Sequence, residues 1–222
     1  IEQLYREQKA AQLMIQGVKL SDPQRIDVRG NLSVGSDVTI DVNCIFIGEV
    51  ELGNDVVIEA NCILYNCKIG DGTVIHAMSL IESSVLGAHN DIGPFARIRP
   101  DTETGARAKI GNFVEVKKSL IGEGSKVNHL SYIGDCEMGA NVNIGAGTIT
   151  CNYDGAFKHK TIIEDDVFVG SDTQLVAPVK LSRGSTIGAG STITKETPAG
   201  QLSFSRAKQV SISNWQRPKK NK

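Results

Sequence analysis

A six-residue spacing between large apolar side chains runs through most of this chain and constrains its fold more than any other feature. An α-helix repeats near every 3.6 residues and a strand near every 2, so neither alone explains the spacing. It predicts a prism whose flat sides are short strands with turns at the corners, an all-β fold. The large apolar series is Val34, Ile40, Phe46, Leu52, Ile58, Leu64, Ile69, Ile75, Ile81, Leu86, Ile92, Ile98, Thr104, Ile110, Val116, Ile121, Val127, Ile133, Met138, Ile144, Thr150, Ile163, Val169, Leu175, Leu181, Ile187 and Ile193.

A second series of mostly small residues lies two positions before these large ones. Residues i and i−2 share one face of a strand, so both series are expected to point inward. Glycine often follows the large residue, which suits a corner with positive φ or close backbone approach. Three sides make a coil of about 18 residues, and the repeat supplies roughly nine coils stacked about 4.8 Å apart. The small series begins Val38, Cys44, Val50, Val56, Cys62, Cys67, Thr73, Ser79 and Ser84.

The chain divides into three predicted parts. Residues 1–25 read as a short N-terminal helix, from Ile1 to about Gln16, and a linker. Residues 26–195 form the predicted β-helix, with an inserted loop at about 151–161. Residues 196–222 form an irregular C-terminal tail, and its basic end at 217–222 is interpreted as solvated and disordered. The chain starts without Met inside a helix-like segment, so we expect a fragment of a longer protein.

Charge and composition limit the possible partners. The formal net charge is −1, which provides no electrostatic reason to bind nucleic acid or an anionic membrane. No apolar run approaches the roughly 18 residues of a membrane span, and no signal peptide is recognisable, so we expect a cytoplasmic protein. Four of the five cysteines fall on the small interior series and are interpreted as apolar fillers, namely Cys44, Cys62, Cys67 and Cys136. Cys151 lies near the interruption of the repeat, and a catalytic role for it is kept only as the alternative interpretation. No spacing of the cysteines is typical of a metal site, so none is expected.

The coil register predicts a cluster of polar residues. Ile98, Val116 and Ile133 are equivalent positions in successive coils, so Arg99 is expected above Lys117. Glu115 and Tyr132 share the same edge one position earlier. Stacked cations repel unless an anion lies between them, which predicts a phosphate or sulfate site. The alternative is a solvated edge with Glu115 as the counter-ion.

His129 is expected to face outward beside this cluster. An imidazole suits proton removal from an amine near neutral pH, and Glu115 is predicted to orient it if within reach. The alternative is an inert surface histidine, as we expect for His76, His89 and His159. The segment from Thr150 to Thr161 leaves the six-residue spacing, and loops expelled from a scaffold often carry sites. It offers Asn152, Tyr153 and Lys158 as ligands for a sugar or phosphate, with a plain surface loop as the alternative.

Five segments carry a resemblance over nearly the whole chain. They are IGPFARIRP at 92–100, GNFVEVKK at 111–118, NHLSYIGD at 128–135, NIGAGTITCNYDG at 143–155 and FVGSDTQLVAP at 168–178. The chain resembles the C-terminal half of the bacterial bifunctional N-acetylglucosamine-1-phosphate uridyltransferase/glucosamine-1-phosphate acetyltransferase family. The resemblance implies a left-handed parallel β-helix of hexapeptide repeats. It also implies a homotrimer with active sites between neighbouring subunits.

The implied activity is acetyl-CoA-dependent N-acetylation of glucosamine 1-phosphate, within UDP-N-acetylglucosamine synthesis for peptidoglycan and lipopolysaccharide. The uridyltransferase half of the family, with its Mg²⁺, is expected to be absent from this chain. The resemblance makes His129 the general base, with Glu115 as its partner. It assigns the amino-sugar phosphate to Arg99, Lys117, Tyr132, Asn143, Asn152, Tyr153 and Lys158. It assigns acetyl-CoA to Ala146, Asn152, Tyr153, Ser171, Ala189 and Arg206.

Two points remain open at the level of sequence. Residues 203–208 are less typical of the family, which leaves the distal coenzyme contacts less defined than the base. A backbone N–H near Ala146 is the candidate donor to the oxyanion. The competing functions are acyl transfer to another acceptor, a metal enzyme of the γ-carbonic-anhydrase type that needs a histidine triad, and a non-catalytic scaffold. The fold alone cannot choose among them.

Overall fold

The computed structural model describes residues 1–218 and 220, and within them nearly all regular structure is short parallel strand. The one α-helix, α1, spans Glu2–Ile15, and a 3₁₀ turn follows at Pro23–Arg25. No helix among these residues has the length and apolar character needed to cross a membrane. The strands in chain order are β1 (Lys19–Leu20), β2 (Ile26–Val34), β3 (Thr39–Ile40), β4 (Cys44–Leu52), β5 (Val57–Ile58), β6 (Ile63–Ile69), β7 (Val74–Ile75), β8 (Leu80–Glu82), β9 (Ser84–Leu86), β10 (Asp91–Ile92), β11 (Arg97–Ile98), β12 (Thr102–Thr104), β13 (Lys109–Asn112), β14 (Glu115–Lys117), β15 (Leu120–Ile121), β16 (Lys126–His129), β17 (Tyr132–Gly134), β18 (Cys136–Met138), β19 (Asn143–Ile144), β20 (Ile149–Cys151), β21 (Thr161–Ile163), β22 (Phe168–Val169), β23 (Gln174–Val176), β24 (Val179–Leu181), β25 (Thr186–Ile187), β26 (Thr192–Ile193) and β27 (Leu202–Ser203).

These strands stack into the three faces of a left-handed parallel β-helix, as predicted. The first face is an 11-stranded sheet that runs from β1 to β27. The second face includes β8, β11, β14, β17, β20, β23 and β26, and the third includes β9, β12, β15, β18, β21 and β24. Strands β2, β4 and β6 are long enough to bend around a corner and contribute to both of the latter faces. Each residue therefore has its equivalent on the neighbouring coil directly above or below it.

The two inward series account for the core. From Ile40 to Ile193 every residue of the large series is buried, and Val34 is partly buried against it. The small series is buried as well, including Thr73, Ser79 and Ser84, whose hydroxyls can bond to backbone groups inside the prism. Burying one Ile or Leu side chain stabilises a fold by about 1.5–3 kcal/mol, so this repeated column holds the coils together. The cysteines of the series, Cys44, Cys62, Cys67 and Cys136, are free and buried, which confirms their interpretation as fillers.

The corners need left-handed backbone, but glycine is not what supplies it at most of them. At most corners the residue just before the small inner residue takes positive φ, and it is often Asp or Asn, such as Asp37, Asn43, Asp55 and Asn61. The glycines after the large residues serve close approach between coils instead. At Gly122, for example, a Cβ would lie 2.1 Å from the carbonyl oxygen of Gly139. Of the two reasons that the sequence offered for these glycines, close approach is therefore the general one.

One corner differs from the other two in length. From Val34 to Ile193, each step between large inner residues across the first–second and third–first corners is six residues. The second–third corner, which we call the variable corner, takes five residues from Leu64 to Ile69 and six from Ile98 to Thr104. It also holds the inserted loop, between Thr150 and Ile163. The stack therefore absorbs its changes in length at this corner.

The ends extend the stack beyond the predicted repeat. Strand β1 pairs with β3, and β27 pairs with β25, so coils form before Val34 and after Ile193. The β-helix has about ten turns rather than roughly nine, because these end segments lack the six-residue apolar step but still pair through backbone. Helix α1 packs on the N-terminal end of the stack through Ala10 and Leu13, while Leu4 and Met14 stay exposed. The interpretation of the basic C-terminal end as disordered concerns in part residues 219, 221 and 222, which lie outside the described residues.

Candidate functional site

A column of polar side chains runs up the second face. Strand pairing places Glu115 above Arg97 and Tyr132 above Glu115. Two positions further along these strands, Arg99 lies beneath Lys117, since the Arg99 N–H donates to the carbonyl of Val116. The predicted stacking of the two cations is therefore confirmed. We call Arg99 and Lys117 the cationic column. The next coil places Gly134 above Lys117, so the cationic column ends at a residue without a side chain.

Glu115 is bound to this column rather than to the histidine. Arg99 Nη1 donates to Glu115 Oε1 over 2.7 Å, and both side chains are a little over one-third exposed. The hydrogen bond to Glu115 is the main cause that raises the pKa of Arg99 above its ordinary value. Glu115 thus offsets part of the positive charge and holds the guanidinium in one orientation. Such an arrangement leaves the Lys117 ammonium as the more available of the two cations for an anion.

His129 lies at the corner between the first and second faces. It ends β16 and is paired with Asn112, which ends β13 one coil below. His129 Nδ1 lies 2.7 Å from Asn112 Oδ1, whereas Glu115 bonds to Arg99. The pairing of Glu115 with His129 stays a prediction, and no hydrogen bond joins the two side chains among the described residues. The physical reason is the corner residue Phe113, which separates the columns of Asn112 and Glu115 and turns them onto different faces.

The glycine above Lys117 makes room for two polar groups, the Tyr132 hydroxyl and the Asn152 amide. A Cβ on Gly134 would lie 2.4 Å from the Tyr132 hydroxyl and 2.8 Å from Asn152 Nδ2. Asn152 is buried and donates to Asp135 Oδ2 over 2.6 Å, and its Nδ2 is 3.5 Å from the Tyr132 hydroxyl. Asp135 is itself only 9% exposed, so this bond removes an otherwise unpaired buried carboxylate oxygen. The group fixes Tyr132 and Asn152 against the end of the cationic column.

A smooth strip of small residues rises from His129 along its corner. Ala146 lies one coil above His129, Ser171 above Ala146, and Ala189 above Ser171, as the pairing of β16, β19, β22 and β25 requires. Glycines flank the strip, and a Cβ on Gly170 would lie 2.5 Å from the Ala189 nitrogen. The side chain of Arg206 closes the upper end, since a Cβ on Gly190 would lie 3.8 Å from its Cδ. Three of the six residues predicted for the coenzyme thus share one column with the predicted base, and a fourth, Arg206, lies at the upper end of that column.

The remaining predicted ligands fall into two places. Asn143 lies on the first face, paired with Lys126 below and Phe168 above, away from Arg99 and Lys117 on the second. Tyr153 and Lys158 form an antiparallel bridge within the inserted loop, and Lys158 Nζ lies 4.5 Å from the centroid of the Tyr153 ring. Among the described residues of one chain, these side chains do not enclose a single pocket with the cationic column. A cavity of about 430 Å³ beside the loop includes Lys158, Lys118, Asp135 and Lys160 instead.

Two of the histidines predicted as surface residues are paired with carboxylates. His76 bridges two carboxylates on the first face, with Nδ1 3.0 Å from Glu59 Oε1 and Nε2 2.7 Å from Asp91 Oδ1. His159 Nε2 lies 2.6 Å from Asp154 Oδ2, inside the loop. Both side chains are about one-third exposed and so lie at the surface as predicted, but each is paired with a carboxylate. The 17-residue spacing of Glu59 and His76 was the available signal, since it places them on adjacent coils.

Sequence reasoning missed three residues that shape this region: Asn112, Gly134 and Asp135. Asn112 and Gly134 stand in the quoted motifs but have no reactive side chain, so chemistry alone did not select them. Asp135 stands in the same motif as Gly134, but aspartate occupies several other left-handed corners, such as Asp37 and Asp55, so its position did not single it out. Cys151 is part-buried, and this burial raises the pKa of its thiol, which does not favour a thiolate.

Two family models match parts of the chain. The GMPPB C-terminal domain matches residues 28–105, and the hexapeptide repeat of succinyl-transferase matches residues 160–195. Among solved structures, an Arabidopsis UDP-N-acetylglucosamine acyltransferase is similar with a TM-score of 0.59 at 16% identity, over 80% of this chain and 69% of that one. A likeness at this identity concerns the fold alone. The chain therefore has the left-handed β-helix fold of hexapeptide repeats.

Curated relatives narrow this class. The bifunctional protein GlmU of Nitrosomonas eutropha is 62% identical over 222 residues, which is 100% of this chain and 48% of the relative. The GlmU of Nitrosomonas europaea is 63% identical over the same shares. That of Marinobacter nauticus is 57% identical over 99% of this chain and 48% of its own length. The chain thus spans about half the length of these relatives and is homologous to the C-terminal half of the bifunctional protein GlmU, which confirms the resemblance seen in the motifs.

Proposed function

We propose that this chain transfers the acetyl group of acetyl-CoA to the 2-amino group of glucosamine 1-phosphate. The product, N-acetylglucosamine 1-phosphate, would supply UDP-N-acetylglucosamine for peptidoglycan and lipopolysaccharide in the cytoplasm. One observation carries the proposal: His129 stands where the strip of small residues meets the face with the cationic column. A base at that junction can reach the thioester at the end of a coenzyme and an amine on the second face.

The cationic column supports an anionic acceptor. Lys117 supplies a point charge and Arg99 a planar fork, which are the two usual ligands of a phosphate in proteins. Tyr132 and Asn152 lie at the end of this column and can bond to sugar hydroxyls. Glu115 is proposed to hold Arg99 for this purpose, in place of orienting the base.

The strip of small residues supports an extended coenzyme. Ala146, Ser171 and Ala189 occupy successive coils, so the column from His129 to Arg206 is roughly 19 Å long at about 4.8 Å per coil. Side chains this short leave a groove for a pantetheine arm, and Arg206 can pair with phosphates at its far end. Asn152 and Tyr153 are proposed as further contacts for acetyl-CoA. No metal takes part in this proposal.

The chemical step follows from these positions. The neutral 2-amino nitrogen attacks the thioester carbonyl carbon, and His129 Nε2 takes a proton from that nitrogen as the N–C bond forms. The C–S bond then breaks, and the imidazolium returns the proton to the coenzyme sulfur. A backbone N–H near Ala146 is the proposed donor to the oxyanion of the tetrahedral intermediate. A positioned base contributes about 10²–10⁴ to the rate, and holding both substrates adds proximity.

A homotrimer with sites between subunits is part of the proposal. Asn143 and the loop residues Tyr153 and Lys158 lie away from the cationic column of their own chain, so a neighbouring subunit would bring them to it. An exposed apolar ridge follows the same corner as His129 and suits such a contact. The ridge consists of the corner residues of successive coils, Met78, Phe95, Phe113 and Leu130.

Release of free thiol from acetyl-CoA tests the function. We expect turnover with glucosamine 1-phosphate, a much higher KM with unphosphorylated glucosamine, and a loss of about 10²–10⁴ in kcat for His129→Ala. His89→Ala is the matched control, since His89 lies on a corner away from the site. Equal turnover of both sugars would contradict phosphate binding by Arg99 and Lys117. Normal turnover in His129→Ala would contradict the role of His129 as the base. Turnover of neither sugar by a folded trimer would favour another acceptor or a scaffold.

A further inference from the structure

We propose that Asn112 is the positioning residue of the catalytic base: its side-chain carbonyl selects the tautomer of His129 in which Nδ1 carries the proton and Nε2 is free to accept one. The inference rests on the proposed function for its catalytic meaning. The tautomer of the His129 imidazole can be measured without turnover.

The geometry is a single short contact between neighbouring coils. Asn112 and His129 are register partners at the ends of β13 and β16, and their side chains meet at 2.7 Å between Oδ1 and Nδ1. The backbone fixes both residues, because the Leu130 N–H donates to the Asn112 carbonyl over 3.1 Å. The Ser131 hydroxyl also donates to the His129 carbonyl over 2.8 Å. Asn112 is half-buried while His129 is exposed, so the less exposed side chain supplies the contact that orients the imidazole ring.

The atoms that meet determine the proton position. A carbonyl oxygen only accepts hydrogen bonds, so the Nδ1 beside Asn112 Oδ1 must be the protonated nitrogen of a neutral ring. Nε2 is then the unprotonated nitrogen, and it has no hydrogen-bond partner among residues 1–218 and 220. Without this contact, the ring would favour the opposite tautomer, which is the more stable one in free histidine. A base protonated on the reacting nitrogen cannot take the amine proton.

The neutrality of the partner has a further consequence. A carboxylate in this position would favour the imidazolium through its charge, whereas an amide oxygen accepts the same bond with less preference for the charged ring. The proton taken from the amine must later go to the sulfur, so a base that releases it readily suits both halves of the transfer. The nearby carboxylate of Glu115 is directed to Arg99 instead, which keeps it from the imidazole.

The first experiment measures the tautomer of the His129 ring by NMR, in the full chain labelled with ¹⁵N-histidine. The four histidines are few enough for His129 to be assigned by comparison with His129→Gln. Long-range ¹H–¹⁵N correlations are expected to show Nδ1 protonated and Nε2 unprotonated at high pH. Asn112→Leu is expected to move the ring toward the opposite tautomer, and Asn112→Asp to move the titration midpoint of His129 to higher pH. Asn31→Ala, which removes another inter-coil asparagine contact, is the matched control.

Kinetics follow with the same variants. Asn112→Leu is expected to lower kcat about 10- to 100-fold, as loss of an outer-shell partner of a histidine does, with KM for both substrates within about 2-fold. Asn112→Asp is expected to retain most of kcat but to shift the acidic limb of the pH profile upward. A merely structural role would not produce this shift. Thermal melting of each variant establishes that the coils remain folded.

The outcomes separate the two proposals. A wild-type ring protonated at Nε2, or an Asn112→Leu variant with unchanged ring signals and kcat, would overturn the role of Asn112. Ring signals that respond as expected in a chain that acetylates no amino sugar would uphold the tautomer control and remove the proposed function. Rescue by Asn112→Asp together with the shifted pH profile would support both.

Discussion

Individual hydrogen bonds, rather than residue types, determine what the outer polar residues of this protein can do. Glu115 and Asn112 both lie one coil below a predicted site residue, and each selects a different partner. Glu115 holds a cation and Asn112 holds an imidazole, so in the proposed function the carboxylate would act on binding and the amide would act on the base. His76 shows a different case, a histidine held between two carboxylates on the first face.

The His76 cluster predicts a pH-dependent contribution to stability. Partial burial alone would lower the pKa of His76, but hydrogen bonds and charges from Glu59 and Asp91 outweigh it and raise the pKa above its ordinary value. Lys109 Nζ, 2.7 Å from Asp91 Oδ2, is the other charged group in the cluster. Because the folded pKa exceeds the unfolded value of about 6.5, the contribution is complete below that pH and is lost as pH rises through the folded pKa.

We therefore expect His76→Gln to lower the thermal midpoint by a few degrees at pH 5.5 and by much less at pH 9. Differential scanning calorimetry across this pH range measures the gap in thermal midpoint between the variant and the wild type. The control introduces the same change into a background with Glu59→Gln and Asp91→Asn, where the gap should no longer depend on pH. A gap that is constant, or that grows toward alkaline pH, contradicts the charge pairing of His76.

At the scale of elements, the middle of the inserted loop, from Tyr153 to His159, is ordered by hydrogen bonds within the loop, while Asn152 and Lys160 tie its two ends to the stack. Asp154 Oδ1 accepts the N–H groups of Ala156 and Phe157 over 2.8 and 2.7 Å. The Phe157 N–H, then His159 and the Ala156 N–H, hold the pKa of Asp154 well below its usual range. The bridge between Tyr153 and Lys158 closes the same turn. One carboxylate thus organises the segment that carries two predicted substrate ligands.

Removal of that carboxylate should affect binding more than stability. Asp154→Ala is expected to raise KM for glucosamine 1-phosphate about 10-fold with kcat less affected, because Lys158 and Tyr153 lose their fixed position. The thermal midpoint should not change, since the loop lies outside the stacked coils. Asp154→Asn retains an oxygen acceptor for both N–H groups and serves as the control. Hydrogen exchange at Ala156 and Phe157 reports loop order without turnover, and unchanged exchange in Asp154→Ala would contradict this account.

At the scale of the whole molecule, contacts connect each coil mainly to its neighbours along one axis. Such a stack exposes long edges, and here one edge carries apolar side chains in left-handed backbone. Phe95 and Phe113 stack on each other with ring centroids 5.1 Å apart, and both are about half exposed. Large aromatic side chains left in solvent beside a predicted base indicate a surface that another subunit covers.

The ridge therefore predicts the state of assembly. We expect Phe95→Ser and Phe113→Ser each to weaken subunit association about 30-fold or more, as loss of a central aromatic contact does. Sedimentation velocity at micromolar concentration would show dissociation of the trimer, and thiol release would fall with it. Val85→Ser, at an exposed position on the third face, is the control. An equally stable trimer in the ridge variants would place the interface elsewhere.

The sequence predicted the stack almost completely but the site only in part, for a physical reason. Inward packing admits one large and one small residue per face, so the six-residue spacing identified the buried positions from Ile40 to Ile193. Register also placed Arg99 under Lys117. It could not decide between Asn112 and Glu115 as partner of His129, because side-chain torsions and the corner at Phe113 make that choice. The same register would have found Glu59 beneath His76 had it been applied to the first face.

The variable corner has a consequence for how such proteins diverge. An insertion at either six-residue corner would rotate every following side chain out of its column, so selection should remove it. At the variable corner, the chain changes length without disturbing the coils above or below, and the inserted loop leaves the stack there. Arg99, Lys117 and Asn152 all lie at or next to this corner. New acceptor specificities can therefore arise by exchange of one turn, while the proposed base and the proposed coenzyme strip are inherited intact on the corner that keeps its length.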